Sequence, residues 1–199
     1  MAIEIRKLTP DLADEYVNFF DITPHDDNID EHKCYCVCWC NDDYRSKDFS
    51  TAEKRRELAL QYVKENNIQG YLAYSDGAVV GWCNANTKSD CLKCASWQRF
   101  MSYVPLDESG IDIKVKSVFC FMIASEMKRQ GIATLLLERV CKDAAQDGFD
   151  FVEAYPYKES SYQSSNFGGY FELYKKLGFQ VSLETEQGLV MRKKLKCAV

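Results

Sequence analysis

Ile123-Ala124-Ser125-Glu126-Met127-Lys128-Arg129-Gln130-Gly131-Ile132-Ala133-Thr134 decides the reading of this 199-residue chain, because it stands where a strand gives way to a helix. Upstream, Val115 to Ala124 is rich in β-branched and aromatic residues. Downstream, Ile132, Leu135, Leu136, Val140 and Ala144 recur at helical spacing and are expected to face inward. Gly148 ends that helix, and Phe149 to Tyr155 reads as a second strand parallel to the first. The first N–H groups of a helix have no intrahelical acceptors, and its dipole places partial positive charge there. Residues 128 to 134 therefore form an entrance suited to a pyrophosphate. Gly131 and Ala133 keep side chains off the backbone, while Lys128 and Arg129 bring cationic groups for phosphate oxygens. A glycine turn with a basic, solvated rim is also ordinary in α/β units, so the motif draws its weight from the rest of the chain.

Working outward, Ile3 to Leu8 alternates apolar and charged residues as a half-buried strand does. Thr9-Pro10-Asp11 offers a cap, a first-turn proline and an early acid for a helix running to about Phe20, with Leu12, Tyr16, Phe19 and Phe20 on one face. Residues 21 to 49 show no sustained period apart from the alternation Cys34, Cys36, Cys38, Cys40. Ser50-Thr51-Ala52-Glu53 has the form of a capping box, and it opens an amphipathic helix with Leu58, Ala59, Tyr62 and Val63 on one side. Tyr71 to Tyr74 and Val79 to Asn84 flank Ser75-Asp76-Gly77-Ala78, whose Asp-Gly pair predicts a tight hairpin. The last third reads as a polar loop over 156 to 166, a helix from about Gly168 to Leu177, a stop at Gly178, and two closing strands near Phe179 to Leu183 and Leu189 to Lys193.

The bulk properties fit one domain over 1–199, with a full core. A net charge of -5 without any basic stripe argues against nucleic acid as partner. The N-terminus lacks an export signal and no apolar run is long enough to span a bilayer, so a cytoplasmic protein without a membrane partner is expected. In that compartment the ten cysteines are expected to be mostly reduced thiols. Zinc is a weak reading: four cysteines at alternate positions of a strand diverge rather than converge on a tetrahedral centre. No metal is expected.

With these elements in place, the chain resembles the GNAT N-acetyltransferase superfamily. Lys128-Arg129-Gln130-Gly131-Ile132-Ala133 fits its pyrophosphate loop, Arg/Gln-x-x-Gly-x-Gly/Ala, with one departure. Lys128 keeps the charge of the usual first residue but loses the planar fork of arginine. Tyr174-Lys175-Lys176-Leu177-Gly178-Phe179 is similar to the family's late Tyr-x-x-x-Gly-Phe, and the stretches around Cys34-Tyr35-Cys36 and Gly81-Trp82-Cys83-Asn84 look like a poorly characterised branch. The resemblance implies a single-domain α/β fold with a mixed, mostly antiparallel sheet of six to seven strands. A central parallel pair would be splayed to admit acyl-CoA, with the cofactor-binding core at about 115–180 and acceptor-side elements at about 1–114.

The implied activity is transfer of an acetyl group from acetyl-CoA to a primary amine, by direct attack in a ternary complex of a monomer or homodimer. The resemblance assigns the pantetheine arm and thioester oxygen to backbone groups of Phe121, Met122 and Ile123. It assigns the pyrophosphate to Lys128, Arg129, Gln130, Gly131, Ile132, Ala133 and Thr134, and protonation of the leaving thiolate to Tyr174. Glu126 and Glu153 are the carboxylates nearest by strand geometry for the general base, although Glu153 could instead face a neighbouring lysine. Trp39, Trp82, Trp97, Tyr35 and Phe100 are candidates for acceptor-pocket walls and equally for ordinary core. The alternative function is a non-catalytic acyl-CoA-binding module, or a cysteine-based metal or redox sensor on the same fold.

Overall fold

The change of period at Gly131 is realised as strand β4, Val115–Ile123, and helix α4, Ile132–Gln146. The structure is a computed structural model that describes residues 2–25, 27–40, 43–106, 113–156 and 167–195. The other elements are β1 Ile3–Lys7, α1 Ala13–Ile22, α2 Ala52–Lys64, β2 Gly70–Ser75, β3 Ala78–Thr87, α3 Ala95–Phe100, β5 Phe151–Ala154, α5 Phe171–Lys176, β6 Gln180–Glu184 and β7 Leu189–Lys194. The seven strands form one sheet in the order β1-β2-β3-β4-β5-β7-β6. Among the described residues only β4 and β5 run parallel, as expected from the helix that links them.

Two neighbours on β3 show how the helices divide between the faces. The Trp82 ring meets Tyr16 of α1 edge-on at 4.8 Å. At Gly81 an added Cβ would lie 3.1 Å from Ile132 of α4 and 2.8 Å from Ile123. Successive strand residues point to opposite faces, so α1 and α4 cover opposite sides of the sheet. The missing side chain at Gly81 lets the first turn of α4 sit directly against the strand. Ile132, Leu136, Leu137, Val140, Cys141 and Ala144 are buried there, and each large aliphatic among them contributes roughly 1.5–3 kcal/mol by leaving water. Leu135, expected inward, is 38% exposed, and Leu137 faces the core in its place.

Caps and turns follow the local chemistry in most places. Thr51 accepts the Lys54 N–H at 3.2 Å and starts α2. Asp76 and Gly77 both have positive φ, 50° and 82°, the conformation a tight hairpin needs. Thr9 makes no side-chain cap, and Pro10–Leu12 forms a single 3₁₀ turn before α1.

The largest departure is at the cysteines. Cys34 to Cys40 is not a strand: Tyr35 and Cys36 take left-handed φ values of 46° and 55°, and Val37–Trp39 is a 3₁₀ turn. Asn84 and Asn86 of β3 both donate to the Trp39 carbonyl, at 3.1 and 2.7 Å, and fasten this turn to the sheet. Between β3 and β4 the chain forms a 3₁₀ turn at Lys88–Lys93 and helix α3, both too short to show a period in the sequence. Residues 107–112, and 157–166 of the polar loop, lie outside the described residues. Among the described residues no helix is long and apolar enough to cross a membrane.

Candidate functional site

The parallel ladder is short. It joins Val115 through Val118 to Phe151 through Ala154 and then stops, while β4 continues to Ile123. Beyond that point Cys120 to Ile123 pair with β3 alone among the described residues. The register against β3 skips Phe119, which is the extra residue of a bulge between the Asn84–Cys120 and Ala85–Val118 pairs. Its ring is stacked on Trp39 at 4.4 Å and on Tyr155 at 5.3 Å, with Trp97 edge-on to Phe119 and to Tyr155. The bulge and the end of the ladder leave alternate backbone groups of Phe121, Met122 and Ile123 directed to the open side of β4.

That open side leads to the entrance of α4. Ala124 ends the strand, Ser125–Met127 forms a 3₁₀ turn, and Arg129 and Gly131 take left-handed φ values of 64° and 82°. Among the described residues no side chain caps α4, so its first N–H groups are offered to whatever enters. Phe121, Met122, Ile123, Lys128, Arg129, Gly131, Ile132, Ala133 and Thr134 line one cavity of about 700 Å³. A cavity of that size with an apolar strand at one end and helix N–H groups plus two cationic side chains at the other suits a long ligand with an anionic head. Gln130 is the exception: its amide donates to the Glu126 carbonyl at 3.0 Å, bracing the turn from outside the lining.

Tyr174 lies behind the cavity. It is fully buried, its hydroxyl donates to the Gly168 carbonyl at 2.7 Å, and its ring stands 6.4 Å from that of Phe121. Burial pushes its phenol well above the ordinary tyrosine value, so it carries its proton at neutral pH. Neither candidate base lines the cavity. Glu126 is exposed on the turn between two lining residues, Ser125 and Met127. Glu153 takes the other course open to it and faces a lysine. Its carboxylate is fully buried, pairs with Lys88 at 2.9 Å and with Arg192, and accepts the Tyr155 hydroxyl at 2.7 Å.

The aromatic candidates separate. Trp39 and Trp97 gather on Phe119, whereas Trp82 is core. Tyr35 is core as well, with its hydroxyl donated to Asp21 at 2.8 Å. Phe100 is exposed beneath the Arg99 guanidinium. Sequence reasoning missed Thr23, Pro24, Phe167, Gly169, Tyr170 and Leu173, which also line the cavity. Thr23, Pro24 and Phe167 come from stretches with no period, where the Thr23-Pro24 break after α1 was the available signal, and the other three from the stretch read as the late helix. Among the described residues none of the nine cysteines is in a disulfide. Burial pushes Cys34 and Cys94 up to about 12 and Cys141 up to about 11, so these thiols keep their protons and are poor nucleophiles at neutral pH.

Comparison with known proteins bears on the family and the fold. Residues 34–179 match the acetyltransferase (GNAT) family. Among solved structures, the chain is similar to the PaiA N-acetyltransferase of Thermoplasma acidophilum in complex with coenzyme A, at 17% identity over 98% of this chain and 99% of that one, with a TM-score of 0.55. It is similar also to the aminoglycoside acetyltransferase AAC(6')-Ib in complex with coenzyme A, at 14% identity, 97% and 95% coverage and a TM-score of 0.58. A GNAT-family acetyltransferase from Streptococcus pneumoniae aligns at 17% identity, 98% and 100% coverage and a TM-score of 0.51. No curated protein sequence matches.

Proposed function

This chain belongs to the GNAT acetyltransferase family, and we propose that it moves an acetyl group from acetyl-CoA to a primary amine of a small molecule. The observation that carries the reading is the continuity of one cavity from the part of β4 beyond the β5 ladder to the entrance of α4, which no described side chain caps. The pyrophosphate would rest on the N–H groups of Gly131 to Thr134, with Lys128 and Arg129 beside it. The pantetheine arm would hydrogen-bond along Phe121 to Ile123, as a further strand does at a sheet edge. The neighbours solved with coenzyme A support use of a CoA thioester. Mostly buried cysteines outside any disulfide among the described residues fit a reducing, cytosolic compartment.

In this mechanism a neutral amine attacks the thioester carbonyl, a tetrahedral oxyanion forms, and the C–S bond breaks as the thiolate takes a proton. We assign that proton to Tyr174, whose hydroxyl would exchange the Gly168 carbonyl for sulfur. Glu126, at the cavity rim, is the carboxylate we assign to accept the amine proton through water. Glu153, already held by two cations, is assigned to the fold. One observation favours the second reading, a non-catalytic acyl-CoA-binding module: the Tyr174 hydroxyl is engaged by Gly168 rather than directed into the cavity.

The test is a calorimetric titration of reduced, chelator-treated protein with acetyl-CoA, followed by a screen of primary amines read by mass spectrometry. Saturable binding with an acetylated product establishes the transferase. Binding without product for any amine supports the second reading, and absence of binding removes both.

A further inference from the structure

We propose that His25, Asp27 and His32 form a site for a single divalent transition-metal ion of the zinc type, with two imidazoles and one carboxylate as ligands and the remaining positions open to solvent. The two oxygens of Asp27 divide the two rings between them: His25 Nδ1 lies 2.6 Å from Oδ1, and His32 Nδ1 lies 2.6 Å from Oδ2. One ligand atom from each residue falls within 4.8 Å of the others. The backbone builds this convergence. The Asn28 N–H returns to the His25 carbonyl at 2.8 Å, Asn28 takes a left-handed φ of 57°, and the His32 N–H returns to the Ile29 carbonyl at 3.0 Å. The Ile29 N–H donates to Asp27 Oδ1 at 3.0 Å and fixes the carboxylate between the rings.

A metal ion can replace the two protons that otherwise lie between the imidazoles and the carboxylate. Each ring would then carry its proton on Nε2 and offer the Nδ1 lone pair to the ion. Donors around a tetrahedral zinc ion at about 2.0–2.2 Å stand roughly 3.4 Å apart, so the two ring-to-carboxylate distances of 2.6 Å must open while ligand atoms within 4.8 Å of one another draw together, an adjustment of about 1 Å for side chains as exposed as these. Access follows from exposure, since the His25, Asp27 and His32 side chains are 15%, 42% and 55% exposed. Two imidazoles, one carboxylate and open positions suit zinc and its neighbours rather than magnesium or calcium, which take oxygen ligands. No cysteine is in the cluster. The His25 ring is backed by Phe167 at 5.9 Å, and Phe167, Thr23 and Pro24 line the cavity, so the ion would border the cofactor site without entering its lining.

The experiment uses the full chain, reduced and freed of metal by a chelator, titrated with Zn²⁺ by calorimetry and with Co²⁺ by absorption spectroscopy. The expected result is one ion per chain, with visible Co²⁺ bands and no near-ultraviolet thiolate-to-cobalt band. His32→Ala and Asp27→Asn, both at exposed positions, should each weaken binding by at least ~10-fold while circular dichroism is unchanged. Absence of saturable binding overturns the proposal, leaving the three side chains as a hydrogen-bonded cluster. A thiolate band, or affinity unaffected by both substitutions, also overturns it by locating the ion at the cysteines or elsewhere. Acetyl-CoA affinity is an independent readout, because no ligand of the proposed ion lines the cavity.

Discussion

The Tyr174 hydroxyl and the Gly168 carbonyl are joined by a 2.7 Å hydrogen bond inside the protein. The bond lies one residue from Gly169, where an added Cβ would meet the Tyr174 ring at 3.1 Å. It ties the late helix to the wall of the cavity. Tyr174→Phe removes the donor and keeps the ring, so acetyl-CoA affinity should be unchanged by calorimetry. Stability should fall by about 1 kcal/mol in denaturant titration, the usual worth of one such bond. If Tyr174 supplies the thiolate proton, turnover with an identified amine falls by roughly 10²–10⁴-fold. Full turnover in the variant would return the residue to packing alone.

Gly131 is strained territory for any other residue, but crowding within the protein is not the reason. Among the described residues nothing lies within 4 Å of a Cβ built there, whereas its φ of +82° is one that side chains rarely adopt. Gly131→Val should therefore cost about 1–3 kcal/mol or remodel the turn, and acetyl-CoA affinity should drop with it. Gly131→Asn should lose less, because asparagine visits the left-handed region more readily. Equal affinity for all three proteins would detach the turn from the cofactor.

Glu153→Ala strands Lys88 and Arg192 against a buried gap. The expected loss is about 3–5 kcal/mol, measured by urea unfolding. Turnover per folded molecule should be unchanged in this variant or in the milder Glu153→Gln. A large fall in turnover with stability preserved would restore Glu153 as the base.

Lys116 makes stability depend on alkaline pH. Its ammonium is buried beside Gln69 and over the Phe149 ring, and burial lowers its value from 10.5 to about 8. Between those two values the unfolded chain holds the proton that the folded chain has released, so this contribution to stability rises with pH across that window. Below it the full penalty is present, and above it the penalty is gone. Lys116→Met should be more stable than the parent near neutrality by up to roughly 3 kcal/mol. That advantage should shrink as pH climbs towards 10.5. A constant difference across the range would show that the lysine is not the titrating group.

The strand, the Gly131 turn and helix α4 were legible in the residues themselves, because periodicity and glycine chemistry act over a few neighbours and do not need the rest of the chain. The same holds for the Asp76-Gly77 hairpin and the Thr51 cap. Leu135 was misplaced because one helical step separates the inward stripe from its edge, and only the packed partner, here the sheet, fixes the rotation. The cysteine alternation misled because a period of two describes a strand only if a neighbour supplies the ladder. Asn84 and Asn86, some 45 residues away by the spacing of Asn84 from Trp39, instead hold a tight turn. Tertiary structure alone decided that the β4–β5 ladder ends at Val118, that Phe119 bulges, that Glu153 meets two cations, and that His25, Asp27 and His32 converge. Each depends on where separate segments come to rest, which is set by long-range packing and the burial of charge rather than by any local preference.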